Sequence, residues 1–128
     1  KYGDIGYSYV EVDLSNQHVY LIIDGKLVED SPCVTGCVKK GHGTPDGLYS
    51  ITYKESPSVL RGEDYETKVN FWMPFNRGIG LHDATWRDKF GGDIYYSGGS
   101  HGCVNLPYQK AAVIYENIYA GMPVICYY

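Results

Sequence analysis

At 128 residues the chain has the length of one domain, at roughly 100–200 residues each, and a single domain over residues 1–128 is expected. Its 44% hydrophobic and 20% charged content excludes disorder. No apolar run nears the roughly 18–20 residues of a membrane helix, so no membrane contact is expected from this domain. Eleven Lys and Arg against 15 Asp and Glu give a net charge of −4, which supplies no electrostatic reason to bind nucleic acid or anionic lipid.

The first half reads as strands. Apolar positions alternate over 8–14, a β-branched run covers 19–23, and Asp24-Gly25 is a two-residue hairpin signal leading into 26–28. Pro32 places the strand through Val34 and Thr35 at an edge or at a kink. Residues 36–47 form a loop, and Asp46-Gly47 launches a strand over 48–53. Residues 54–68 are polar, turn-rich and unpatterned, long enough for a functional lid. Strands are expected over 69–75 and 78–82, joined at Asn76-Arg77, followed by a glycine-rich loop over 87–102. After Pro107, apolar residues at 3–4 spacing from Tyr108 to Tyr119 predict the one clear helix, with Gly121 as its stop. A closing strand is expected over 124–127. The fold class is mostly β, with one main helix in the C-terminal half.

Reactive residue types are densest at Ser100-His101-Gly102-Cys103-Val104-Asn105, after a glycine pair and before the helix. A cysteine on such a turn presents its sulfur beside successive backbone N–H groups. That arrangement suits a nucleophile with an oxyanion hole built from the Gly102 and Cys103 amides. A thiol of ordinary pKa, about 8.5, is mostly protonated at neutral pH and needs a base. His82 is the candidate base, because His101 is too close in sequence to aim its ring at Cys103. The plain alternative for these residues is a small buried cysteine and a polar histidine with satisfied hydrogen bonds.

The sequence Gly80-Leu81-His82, a spacer over 83–99, then Ser100-His101-Gly102-Cys103-Val104-Asn105 resembles the active-site signature of the L,D-transpeptidase (YkuD-type) family. Thr35-Gly36, Thr44-Pro45-Asp46-Gly47-Leu48-Tyr49, Trp72-Met73-Pro74-Phe75 and His82-x-x-x-Trp86 are similar to further family elements, so the likeness spans about 8–126. The resemblance implies a YkuD-type mixed β-sandwich with a long active-site flap, formed here by 54–68.

It also implies acyl transfer on bacterial peptidoglycan stem peptides, without a cofactor or metal. Cys103 would be the nucleophile, His82 its base, Gly102 an oxyanion donor, and Asp83 would orient the imidazole through its backbone carbonyl. Tyr65, Trp72, Met73, Trp86, Ser100, His101 and Asn105 would touch substrate. Asn105 would otherwise tie down the turn or cap the helix. The implied product is a 3→3 cross-link with release of D-alanine, and carbapenem-type β-lactams would acylate the same cysteine. An L,D-carboxypeptidase on the same site, or a wall-binding module without chemistry, are the alternatives. Lys1 in place of Met reads as a fragment of a larger exported protein, and an extracytoplasmic location at the cell wall follows from the resemblance.

Cys33-x3-Cys37-x4-His42 fits no standard zinc spacing. On one extended strand Cys33 and Cys37 would lie about 13 Å apart, too far to bridge without a bulge. A disulfide from Cys126 to either stays open. His18 and His42 read as exposed or loop-structuring residues.

Overall fold

The computed structural model describes residues 8–62 and 65–128. Ten strands and two helices follow in chain order: β1 (Tyr9–Asp13), β2 (His18–Ile23), β3 (Lys26–Pro32), β4 (Gly47–Ser50), β5 (Ser58–Arg61), β6 (Glu66–Val69), β7 (Trp72–Asn76), β8 (Ile79–Asp83), α1 (Ile94–Gly98), β9 (Val104–Leu106), α2 (Tyr108–Asn117) and β10 (Pro123–Tyr127). A five-stranded sheet has the order β3-β2-β1-β10-β4, and a three-stranded sheet the order β7-β8-β9. The two share one core. Val10, Val12, Leu21 and Val124 of the larger sheet meet Met73, Leu81, Val104 and Leu106 of the smaller, with Ala111 and Ile114 of α2 filling the remaining space.

Local chemistry sets the main turns. Asp24 (φ 52) and Gly25 (φ 80) both lie in the left-handed region, as a two-residue hairpin of the twisted kind requires. β3 is an edge strand, and Pro32 closes it there without interrupting a central ladder. The β7–β8 turn places Arg77 at φ 55 and returns the chain along β8, which carries His82. β9 then pairs parallel with β8, setting His82 opposite Asn105.

Four expectations change. The 54–68 segment contains an antiparallel β5–β6 ribbon running from Ser58↔Val69 to Arg61↔Glu66. Its strands are too short and too charged to show an alternating pattern, and the flap residues 63–64 lie outside the described residues. The 87–102 stretch carries the short helix α1, hidden in sequence by its glycines. The main helix ends at Asn117: Ile118 is extended (ψ 164) though buried, and Gly121 (φ 95) shapes the following turn. The strand expected over 48–53 is shorter, because after Ser50 the chain leaves the ladder.

Candidate active site

The turn bearing Cys103 is built by hydrogen bonds from its own residues. Ser100 Oγ donates to the Cys103 carbonyl at 2.6 Å and accepts from the Gly102 N–H at 3.1 Å. Thr44 Oγ1 donates to the Gly102 carbonyl at 2.6 Å and accepts from the Gly36 N–H at 2.9 Å, pinning the turn to the Thr35-Gly36 loop. Gly102 stands at φ +134, which a side-chain-bearing residue rarely adopts. Gly99 is excluded from substitution for another reason: a Cβ there would lie 2.5 Å from the Tyr95 carbonyl and 2.6 Å from that of Thr35. Parallel contact at Gly36↔Ser100 brings the two loops side by side.

Cys103 sits at the floor of a cavity of about 290 Å³. Leu60, Tyr65 and Thr67 of the flap form one wall; His82, Trp86, Arg87, Gly99, Ser100, His101 and Asn105 complete the lining. The flap is fastened across this cavity by a face-to-face contact of Tyr65 and His101, with ring centroids 5.0 Å apart and planes 9° from parallel. His42 lies against the other side of His101 at 5.1 Å, a loop-structuring position.

Nucleophile and base candidates are both electrically neutral at rest. Burial raises the Cys103 thiol to about 11, against a smaller opposing pull from a Gly80 backbone hydrogen bond, and its S–H donates to the Gly78 carbonyl at 3.5 Å. Burial likewise lowers the His82 pKa, while its contact with the Asp83 backbone works in the opposite direction. His82 Nδ1 lies 2.7 Å from the Asp83 carbonyl oxygen. A carbonyl only accepts, so the proton is on Nδ1 and Nε2 carries a lone pair. That lone pair faces Asn105 Nδ2 at 3.2 Å.

The Asp83 side chain plays a separate part. Its carboxylate accepts from the Asn70 and Phe71 backbone N–H groups at 2.9 and 2.8 Å and from Asn70 Nδ2 at 2.8 Å, locking the start of β7 to the end of β8.

Several expected site residues stand elsewhere. Met73 is fully buried in the core, on the face of β7 turned from the cavity. Trp72 does not line the cavity either; it packs against the His82 ring at 6.0 Å and donates from Nε1 to the Tyr53 hydroxyl at 3.2 Å. The Gly102 N–H is taken by Ser100 Oγ, which removes it from a two-amide oxyanion hole. Asn105 caps no helix: it lies in β9, and Pro107 holds the cap position of α2. Arg87, Leu60 and Thr67 line the cavity without having been singled out by sequence, since each stands in a stretch with no local pattern.

The L,D-transpeptidase catalytic domain (YkuD) family model matches residues 7–126. The chain belongs to this family. An E. faecium L,D-transpeptidase crystal structure, a cysteine-to-serine mutant, is 36% identical with a TM-score of 0.90, covering 96% of this chain and 50% of that one. The NMR structure of the E. faecium L,D-transpeptidase catalytic domain acylated by ertapenem is 37% identical, with a TM-score of 0.85 and coverage of 98% and 100%. An L,D-transpeptidase from Mycobacterium smegmatis is 26% identical, with a TM-score of 0.79 and coverage of 95% and 59%. The chain thus spans about half the length of the E. faecium crystal structure it matches. No curated protein matches it.

The family to which the chain belongs includes a catalytic domain acylated by ertapenem and a carbamoyl enzyme formed with avibactam. The remaining cysteines do not line this cavity. Cys33, Cys37 and Cys126 are buried free thiols. Among the described residues no cluster of three or more His, Cys, Asp or Glu side chains could hold a metal. His18 is part-buried and pairs with Asp30 at 2.6 Å on the outer strands, so it is structural rather than freely exposed.

Proposed function

We propose that this chain forms 3→3 peptidoglycan cross-links through a thioester on Cys103. The observation that carries the reading is the convergence of Cys103 and the unprotonated Nε2 of His82 on one flap-covered cavity. Substrate entry takes the thiol from the Gly78 carbonyl and Nε2 from the Asn105 amide, at the cost of two modest hydrogen bonds. The thiol proton passes to Nε2 as sulfur attacks the carbonyl of the L-configured centre in the third stem residue. Negative charge develops on the carbonyl oxygen, where the Cys103 N–H is the amide of the turn left to meet it. The C–N bond to the terminal D-alanine then breaks, and imidazolium returns the proton to the departing amine. A side-chain amine of a second stem attacks the thioester, loses a proton to His82, and restores the thiol.

Proton transfer at the moment of attack matters because the free pair does not ionise by itself. Thiolate and imidazolium would have to form from a thiol near 11 and an imidazole below 6.5. Both shifts disfavour that pair, so attack and deprotonation are coupled. β-Lactams are acylating agents for the same sulfur, and the parent protein works outside the cytoplasm at the wall.

The test incubates the protein with disaccharide tetrapeptide and separates dimers from tripeptides. Dimers are expected; tripeptide alone would make it a carboxypeptidase. In parallel, Cys103→Ala abolishes the carbapenem adduct in intact mass, and His82→Ala slows its formation by about 10²-fold or more. An adduct on Cys103→Ala would overturn the nucleophile.

A further inference from the structure

Arg87 reaches His82 through Asn105. Its Nε donates to Asn105 Oδ1 at 2.9 Å, and its Nη1 donates to the Gly98 carbonyl at 3.1 Å at the end of α1. A guanidinium has no acceptor atom. The oxygen of the Asn105 amide must therefore face Arg87, which turns the NH₂ toward His82 Nε2 at 3.2 Å. An NH₂ group at that distance stabilises a lone pair and repels an N–H. The hydrogen-bond chain runs in one sense, from Arg87 through Asn105 and His82 to the Asp83 carbonyl, with every donor meeting an acceptor.

We propose that Arg87 is a positioning residue for acyl transfer: by fixing which way the Asn105 amide points, it keeps His82 Nε2 free to receive the Cys103 proton. Without Arg87 the amide can turn over and offer Oδ1 to Nε2. The Asp83 carbonyl still holds the proton on Nδ1, so the turned amide stabilises the doubly protonated ring, and the base is lost. The inference rests on His82 acting as the base.

The charged and titratable groups around the ring act in known directions. Asp83 raises the affinity of His82 for a proton and Arg87 lowers it, while burial outweighs both. Cys103, Tyr65 and His101 are the other titratable side chains that line the same cavity. Removing the Arg87 charge and turning the amide therefore act in the same sense.

Nitrogen-15 NMR of the His82 ring, with titration from pH 4 to 8, decides the matter without any substrate. In the wild type at pH 7, Nε2 should show the shift of an unprotonated nitrogen and Nδ1 that of a protonated one. Arg87→Met should raise the His82 pKa by about one unit. Asn105→Asp, which can only accept, should raise it further. Arg87→Lys keeps the charge and a donor and should fall between Arg87→Met and the wild type.

Carbapenem acylation read by stopped-flow should carry the same mark: the acid limb moves up with the pKa, so that Arg87→Met loses about tenfold more rate at pH 4, on that limb, than at pH 8. A wild-type ring protonated on Nε2 at pH 7 would overturn the proposal. So would an Arg87→Met protein whose rate falls equally at all pH values with the His82 titration unmoved, which is the behaviour of a merely structural arginine. If Arg87→Met fails to fold, the wild-type shifts and Arg87→Lys still decide it, because neither adds a charge beside the ring. Failure of the Cys103→Ala adduct assay would instead strike the reaction assignment and leave the ring titration readable.

Discussion

Alkylation of Cys103 by iodoacetamide across pH 6–10 tests the neutral resting pair directly, because this reagent consumes thiolate and has no use for a base. Burial lifts the thiol from the ordinary range of about 8.5–9 to about 11. At pH 7 its thiolate is then scarcer than that of an unperturbed thiol by about 10². A more basic thiolate is also a better nucleophile. With a Brønsted coefficient of about 0.4–0.5, two units return roughly 6–10-fold.

Cys103 should thus be alkylated about 10–20-fold more slowly than an exposed thiol at pH 7. Restricted access adds a further factor that does not vary with pH. The slope is therefore decisive: the rate should climb about tenfold per pH unit up to pH 10, without a plateau. Peptide mass mapping separates Cys103 from the buried Cys33, Cys37 and Cys126. β-Lactam acylation should behave differently, levelling off near pH 7, since burial keeps the His82 pKa below 6.5. An alkylation plateau below pH 8 would mean a standing thiolate–imidazolium pair and would refute the reasoning.

Two further outcomes follow from the same geometry. Cys126 is 2% exposed and its thiol is raised to about 12 from 9.0, so the folded state holds a proton that the unfolded chain releases first. Stability from this group is present below pH 9 and drains away as pH rises toward 12, by at most about 4 kcal/mol at 1.36 kcal/mol per unit. Alkaline melts of Cys126→Ala should fall less steeply above pH 9 than those of the wild type; identical slopes would contradict the assignment. Ser100→Ala leaves the Cys103 carbonyl and the Gly102 N–H without their partner. It should cost about 1–3 kcal/mol in urea unfolding and slow carbapenem adduct formation, and an unchanged midpoint with an unchanged rate would show that the turn stands without it.

The parts of the fold that were legible in sequence are those written in local chemistry. Asp24-Gly25 demands its hairpin whatever lies around it, and Pro32 can close only an edge strand or a kink. Gly102 before Cys103 is local too, because its φ of +134 is a conformation that side-chain-bearing residues rarely adopt. The β5–β6 ribbon was not legible, since its pairing joins Val59 to Lys68 across a turn while neither strand alternates cleanly. Trp72 and Met73 were misplaced because a segment pattern does not say which face of β7 meets the core and which meets His82. Arg87, and the bond that gives Asn105 its orientation, were hidden for a different reason. Their bond joins residues eighteen positions apart, and its meaning lies in the direction of an amide.

That direction bears on why burial, which makes Cys103 a reluctant thiolate, suits an acyl-transfer site. A standing thiolate in a partly open cavity would react with oxidants and soft electrophiles between turnovers. A thiol near 11 is largely inert to them, and becomes nucleophilic only when a carbonyl is bound close enough for proton loss and sulfur attack to proceed together. Such coupling requires a base that is empty at neutral pH and oriented before the substrate arrives. Burial empties it, the Asp83 carbonyl orients it, and the Asn105 amide occupies its lone pair with a donor that a thiol can displace. The flap contributes the other half. In the proposed reaction, Tyr65 stacked on His101 would cover the cavity and favour an acceptor amine over water at the thioester. Reluctance of the sulfur and closure of the flap are then two parts of one selectivity. In the proposed reaction the first would restrict attack to a bound acyl donor, and the second would restrict release to a bound amine.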